Sequence, residues 1–345
     1  MYPLHYATEL GERQIIEELL ACGADADVRD GRGRTALRIA QEKDMIDMLE
    51  LLLRHGANPN LEDMEQHALL WHAARDGSSP QMLEILLEFN SEHRSINYES
   101  QDPEMPTALW AAAASGHLDI ARRLLAAGAS VETKDRRGRT LLHRADWLPV
   151  AMLTPFLLDR GANVWAKDDE GCLPLHRAAA EGLTNMTQAI LERMDADEDV
   201  AAADVKDAKA KALLHAAQNG SIQLVSCLIN KWQTPVSVHD SLGNGALYYA
   251  CANGHDMVAA YLAGQGANLD AKNTQDDTPL HAAVRRGNTS LVRMLLQLGA
   301  NVETETRQDL PEGIAQATVY QVGLTVNAIE ALREIERFGG QIREL

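Results

Sequence analysis

Apolar and polar positions recur in blocks along this chain. A Leu is followed by small residues, most often Ala or Ala-Ala, and then by Gly. A polar link, a second apolar block and a longer polar stretch complete the block. The leading leucines are Leu4, Leu37, Leu70, Leu109, Leu142, Leu175, Leu213, Leu247 and Leu280. Their steps are 33, 33, 39, 33, 33, 38, 34 and 33 residues, so the two longest read as one period plus an insertion. Gly-Ala pairs begin at Gly23, Gly56, Gly128, Gly161, Gly266 and Gly299, and each of the first five lies 14 residues ahead of the next Leu. Two markers in one phase point to a repeat.

One copy predicts its own elements. In Thr278-Pro279-Leu280-His281-Ala282-Ala283, Thr278 caps a helix and Pro279 fits its first turn, where a missing N–H has no intrahelical partner. Leu280 and Ala283 share a face, and Ala lets a neighbouring helix come close. Gly287 ends this short helix by allowing a left-handed residue. Ser290–Leu296 predicts a second helix, apolar at 291, 292, 295 and 296. The polar run from Asn268 to Asp277 reads as an extended finger. A unit of this size cannot bury its own apolar face, whereas stacked units share a ribbon-like core.

This 33-residue unit resembles the ankyrin repeat. The matching segments are Pro3-Leu4-His5-Tyr6-Ala7, Thr35-Ala36-Leu37-Arg38-Ile39-Ala40, Thr140-Leu141-Leu142-His143-Arg144-Ala145, Leu173-Pro174-Leu175-His176-Arg177-Ala178 and the segment from Thr278. The resemblance implies an all-α fold with short β-hairpin fingers, an ankyrin-type α-solenoid of stacked helix-turn-helix repeats. Nine units and a degenerate capping unit over 310–338 would form one domain spanning 1–345. Departures occur in the slot after the Leu, where Arg38, Trp71, Trp110, Leu214 and Tyr248 replace His. Asp44 and Pro149 stand where a helix-ending Gly is expected, and the Gly-Ala pair is missing near Asn90, Asp195 and Gln233.

Insertions are expected near 90–106, as a long loop or enlarged finger, and near 195–211, an acidic Ala-rich stretch with room for a short helix from about Asp199. Such insertions often decorate the binding face of a repeat array; plain loop decoration is the alternative. The chain starts inside a repeat, which fits a native start or a piece of a larger polypeptide or complex. Thr325–Phe338 predicts an amphipathic cap helix with Val326, Ile329, Leu332 and Ile335 on its inner side and Glu330, Arg333, Glu334 and Glu336 around it.

Charge and chemistry narrow the function. With 50 acidic against 32 basic residues the formal charge is −18. Phosphate backbones and anionic membranes are therefore poor partners, and basic proteins better ones. Neither a signal peptide nor a run long enough to span a membrane is present. Cys22, Cys172, Cys227 and Cys251 lack CxxC spacing and read as small buried hydrophobes in a reducing compartment. A cytoplasmic or nuclear, non-secreted protein is the expectation. His5, His143, His176 and His281 are at least one repeat apart, too far to share a metal. The resemblance implies that they bridge neighbouring fingers. HExxH, P-loop and GxSxG motifs are absent. Catalytic, metal and cofactor sites are not expected.

The expected role is a non-catalytic scaffold that binds a protein or peptide partner through the concave side of fingers and first helices. The alternative is an enzyme or small-molecule binder with a central groove lined by Trp, Arg and His. Exposed first-helix slots, carried over from the family, are the position after the His slot and those three and four further on. Partner-binding candidates are His72, Arg75, Trp110, Arg144, Trp147, Leu148, Arg177, Tyr249, Asn253, Arg285 and Arg286, since Arg and large aromatics are typical interface anchors. Trp71 joins the central stretch, although Trp71, Trp110 and Trp147 are equally readable as packing residues. Finger-tip charges Arg136, Arg137, Asp169 and Glu170 would steer.

Overall fold

The computed structural model describes residues 2–64, 66–90, 95–100, 102, 104–144, 148–307, 317–326 and 328–338. It divides into two compact units, Met1–Pro174 and Leu175–Leu345. In the first, helix pairs follow one another: α1 (Pro3–Leu10) with α2 (Arg13–Ala21), α3 (Ala36–Glu42) with α4 (Ile46–Arg54), α5 (Leu69–Asp76) with α6 (Pro80–Asn90), and α7 (Ala108–Ala114) with α8 (Leu118–Ala126). In a fifth pair the first helix shrinks to a 3-10 turn, Leu141–His143, before α9 (Leu148–Asp159). Pro149, expected to end the first helix, instead begins the second, where its missing N–H costs nothing.

Helix α10 (Pro174–Ala180) leads into the second unit. There it pairs with α11 (Thr184–Asp195), followed by α12 (Ala202–Asn219) with α13 (Ile222–Asn230), α14 (Ala246–Asn253) with α15 (Asp256–Gly264), and α16 (Pro279–Arg286) with α17 (Thr289–Gln297). The antiparallel strands β1 (Glu305–Thr306) and β2 (Ala317–Thr318) precede α18 (Val319–Thr325) and α19 (Ile329–Arg337).

The leucine register organises both units. Eight of the nine leucines are the second residue of a first helix or 3-10 turn, and all nine are 4% exposed or less. Leu213 is the exception in position alone, the twelfth residue of α12. The second insertion does not form a separate helix. It fuses with the following first helix into 18 continuous residues, because the Ala- and Lys-rich stretch from Ala202 has high helix propensity and no Gly or Pro to stop it.

Local signals act as expected around α16. Thr278 accepts from the His281 N–H and His281 Nδ1 accepts from the Thr278 N–H at 3.2 Å, a reciprocal cap. Asp44 and Gln233 hold positive φ of 52° without being glycine, in two slots that Gly fills elsewhere. The cap helix differs from expectation. It begins at Ile329, so Val326 and Ile329 are exposed while Ala331, Leu332 and Ile335 are buried. Glu334 turns inward and accepts from Arg293 and Arg337, both at 2.9 Å. Of the cysteines only Cys251 is buried; Cys22 is exposed, and Cys172 and Cys227 are intermediate. Among the described residues no helix is long and apolar enough to cross a membrane.

Candidate interaction surface

Six fingers among the described residues open their turn on an acidic or amide side chain that accepts from N–H groups two and four, or four, residues further on. Asp30 Oδ1 accepts from the N–H groups of Arg32 and Arg34 at 2.8 and 2.9 Å. The same pattern holds for Asp135 with Arg137 and Arg139, Asp168 with Glu170 and Cys172, Asp240 with Leu242 and Asn244, and Asn273 with Gln275 and Asp277. Asp63 accepts from the His67 N–H at 3.0 Å. A short side chain of this kind reinforces the turn that the same residue's backbone carbonyl closes, as in Gly33 N to Asp30 O at 2.9 Å. Adjacent tips are then tied by main-chain bonds, Asp169 N to Arg137 O at 3.0 Å in the first unit and Thr274 N to Leu242 O at 2.8 Å in the second.

The second carboxylate oxygen recruits side chains from the unit's own first helix. His72 Nε2 donates to Asp63 at 2.6 Å, and the Tyr249 hydroxyl donates to Asp240 at 2.5 Å. In the Asp135 finger that oxygen goes to Arg139 at 2.6 Å, and Arg144, 3.9 Å from it, donates instead to Glu104 at 2.9 Å. Burial pushes the Asp240 carboxyl upward, but the Tyr249 hydroxyl and the Asn244 N–H outweigh it, and the acid ends below its ordinary range. Asp30 is lowered in the same way: burial opposes ionisation and hydrogen bonds from Arg34 overcome it.

This arrangement revises the expected slots. The position after the His slot faces the finger, so His72 and Arg144 are buried and Tyr249 half-buried. Trp110 is 0% exposed and packs inside the stack beside the buried Ala111, so it is a packing residue rather than part of an exposed groove. Trp147 lies outside the described residues, as does the side chain of Leu148. Of the positions three and four further on, Glu42 with Lys43 and Arg75 with Asp76 in the first unit, and Gln218 with Asn219 and Arg286 in the second, are exposed, while Ala114, Ala180 and Ala252 are half-buried. Arg285 is half-buried and grips Asp277 through two bonds of 2.8 and 2.7 Å. Asn253 is half-buried and donates to the Tyr249 carbonyl, and Arg177 is also half-buried. Arg75 lies over the Trp71 ring, 5.4 Å from its centre. The tips Arg136, Arg137, Asp169 and Glu170 are exposed.

At two of the four His slots, His5 and His143, the bridging that the family resemblance implied is seen. His5 Nε2 donates to the Arg34 carbonyl at 2.9 Å and His143 Nε2 to that of Cys172 at 3.2 Å. Substitutes find equivalent partners. Trp71 Nε1 donates to the Met105 carbonyl at 2.9 Å, and the Tyr248 hydroxyl donates to the Asp277 carboxylate at 3.0 Å. Sequence reasoning missed a second set. His117 and His255, each preceding a second helix, reach the carbonyls of Ala74 and Gln218 in the preceding repeat. Their signal was the same offset from the Leu, eight residues in both copies. It also missed that Asp63, His67 and His72 bring their ligand atoms within 4.8 Å of one another.

Stacked helix pairs with hydrogen-bonded fingers define a helical repeat protein of the protein-interaction class. The family model described as ankyrin repeats in three copies matches residues 1–63, 70–148 and 213–306, and this chain belongs to the ankyrin repeat family. It is 27% identical to the E3 ubiquitin-protein ligase KEG of Arabidopsis thaliana over 309 residues, 84% of this chain and 19% of that protein. It is 23% identical to human Rabankyrin-5 over 322 residues, 90% of this chain and 26% of that protein. The chain thus spans about a fifth to a quarter of these relatives' length. A solved ankyrin repeat domain from Acinetobacter baumannii AYE is 28% identical and superposes with a TM-score of 0.49, covering 56% of this chain and 98% of that one. The ankyrin repeat is a non-catalytic protein-interaction module, and this chain is a scaffold of that kind.

Proposed function

We propose that the chain binds a basic protein or peptide through the groove between its finger tips and first helices. The supporting observation is the outward row at the C-terminal ends of the first helices. Its geometry repeats from unit to unit while its chemistry changes, from Glu42 and Lys43 to Arg75 and Asp76 in one unit, and from Gln218 and Asn219 to Arg286 in the other. Constant positions hold the core, and variable ones in fixed register suit the reading of a partner. The charge of −18 favours a basic partner and speeds its encounter.

The test is crosslinking and affinity capture with the whole chain, comparing wild type with a Glu42→Lys, Asp76→Lys double variant, both positions exposed in the proposed row. A Glu84→Lys, Glu192→Lys double variant, both positions exposed on the second helices α6 and α11, is the charge-matched control. Loss of a specific partner in the first double variant and its retention in the control is the expected result. Equal capture by all three proteins, or equal loss in the control, rejects this surface.

A further inference from the structure

We propose that Asp63, His67 and His72 form a binding site for one zinc-class divalent cation, which would tie the finger of the third repeat to the start of α5. The three side chains already converge. His72 Nε2 is 2.6 Å from one Asp63 oxygen, His67 Nδ1 is 4.0 Å from the other, and all three ligand atoms lie within 4.8 Å of one another. Tetrahedral coordination at zinc bond lengths needs ligand separations of roughly 3.4 Å. One contact opens by under about 1 Å and the others close by up to about 1.4 Å, within reach of carboxylate and imidazole rotation.

The surroundings fit an ion rather than an organic ligand. Asp63, His67 and His72 border a cavity of about 20 Å³ that Leu37, Leu61 and Leu69 also line. That volume holds a single water or ion. Both imidazoles are buried, His67 at 6% and His72 at 4% exposure. His67 is held flat against Trp71, with ring centres 3.7 Å apart and planes 8° from parallel, so its orientation is set in advance. Of the cations facing the cavity, Arg34 is paired with Asp30 at 2.9 Å and Arg38 with Glu42 at 3.2 Å.

The sequence context is particular to this finger. The positions four and nine residues after the finger aspartate hold Arg139 and Arg144 in the Asp135 finger, and Arg34 follows Asp30 at the first of them. In the Asp63 finger the same two positions hold imidazoles. Two nitrogens and one carboxylate oxygen are a donor set that suits zinc, with a fourth position left to water. A guanidinium neutralises its finger acid permanently; this finger would do so with an exchangeable ion.

The experiment uses the tag-free 345-residue chain stripped with EDTA and titrated with Zn²⁺ by calorimetry and with Co²⁺ by visible absorption. The expected result is one saturable site per chain, with a Co²⁺ d–d band of low-symmetry coordination and quenching of Trp fluorescence through Trp71. His67→Gln and His72→Gln should weaken binding by about 100-fold or more, and Cys172→Ser, in the other group of close ligand atoms (Asp168, Glu170 and Cys172), should leave it unchanged. If His72→Gln fails to fold by circular dichroism because Asp63 loses its donor, His67→Gln decides alone. Absence of saturable binding in wild type, undiminished binding in His67→Gln, or loss in Cys172→Ser would each overturn the site.

Discussion

His281 is fully buried, and burial pushes its imidazole down to about 4; His176, also buried and facing His215 and Lys211, is lowered to about 4 as well. Both ordinarily titrate near 6.5, so between these values the unfolded chain takes up protons that the folded chain refuses. Stability is therefore full above pH 6.5 and falls as the pH drops toward 4. Each residue should account for about 2 kcal/mol of loss between pH 7 and pH 5. Urea denaturation at the two pH values checks this, and the difference should shrink in His281→Gln and His176→Gln. Backbone strain gives a second residue-scale test. Gln233 is exposed with φ of 52°, and Gln233→Gly should raise stability by about 0.5–1 kcal/mol. Gly299→Ala, whose Cβ meets nothing within 4 Å, should cost about 1 kcal/mol through its φ of 94° alone. Gly220→Ala should cost more, since its Cβ would lie 2.4 Å from the His255 ring. Thermal melts of the three variants order these effects.

Among the elements, α12 departs furthest from the repeat. Where other repeats have a finger, this one has ten extra helical residues ahead of Leu213, with Lys209 bound to Asp195 at 2.7 Å and Lys211 to Asp207 at 2.8 Å. A separate short helix followed by a loop would tolerate a proline near Lys206. A continuous helix does not, because proline removes an N–H and clashes with the carbonyl four residues earlier. Lys206→Pro at this exposed position should cost about 3 kcal/mol by chemical denaturation, whereas Ala202→Pro, at the first helical residue, should cost little. The cap helix teaches a related lesson. Its apolar residues were legible, but starting it at Thr325 placed Val326 and Ile329 on the buried side; the later start at Ile329 rotates the face onto Ala331, Leu332 and Ile335.

For the whole molecule, the acidic excess sets the terms of association. Capture of a basic partner by this chain should fall steeply as salt rises from about 50 to about 300 mM, because exposed charges are screened within a few ångströms at the higher value. A partner retained without change across that range would be bound through apolar contact instead. The exposed Tyr2, Tyr6, Leu10 and Ile15 of the first repeat, each more than 45% exposed, would then be the next surface to test.

The sequence by itself determined the repeat, its phase and its core, because period and burial share one cause: a Leu that must be covered by the next copy recurs at the copy length. The bridging role of His5 and His143 came from the family resemblance that the repeat motif carries, and both bonds are present. Tertiary structure alone decided which polar residues remain outward. Slot position marked His72, Arg144 and Tyr249 as candidates, but carboxylates outside the first helix draw them inward, Asp63 for His72, Asp240 for Tyr249 and Glu104 for Arg144, and no pattern along one helix reveals such acceptors. The same folding-back of finger onto helix gathers Asp63, His67 and His72. Their meeting depends on how a turn closes in space, a property that spacing along the chain does not carry.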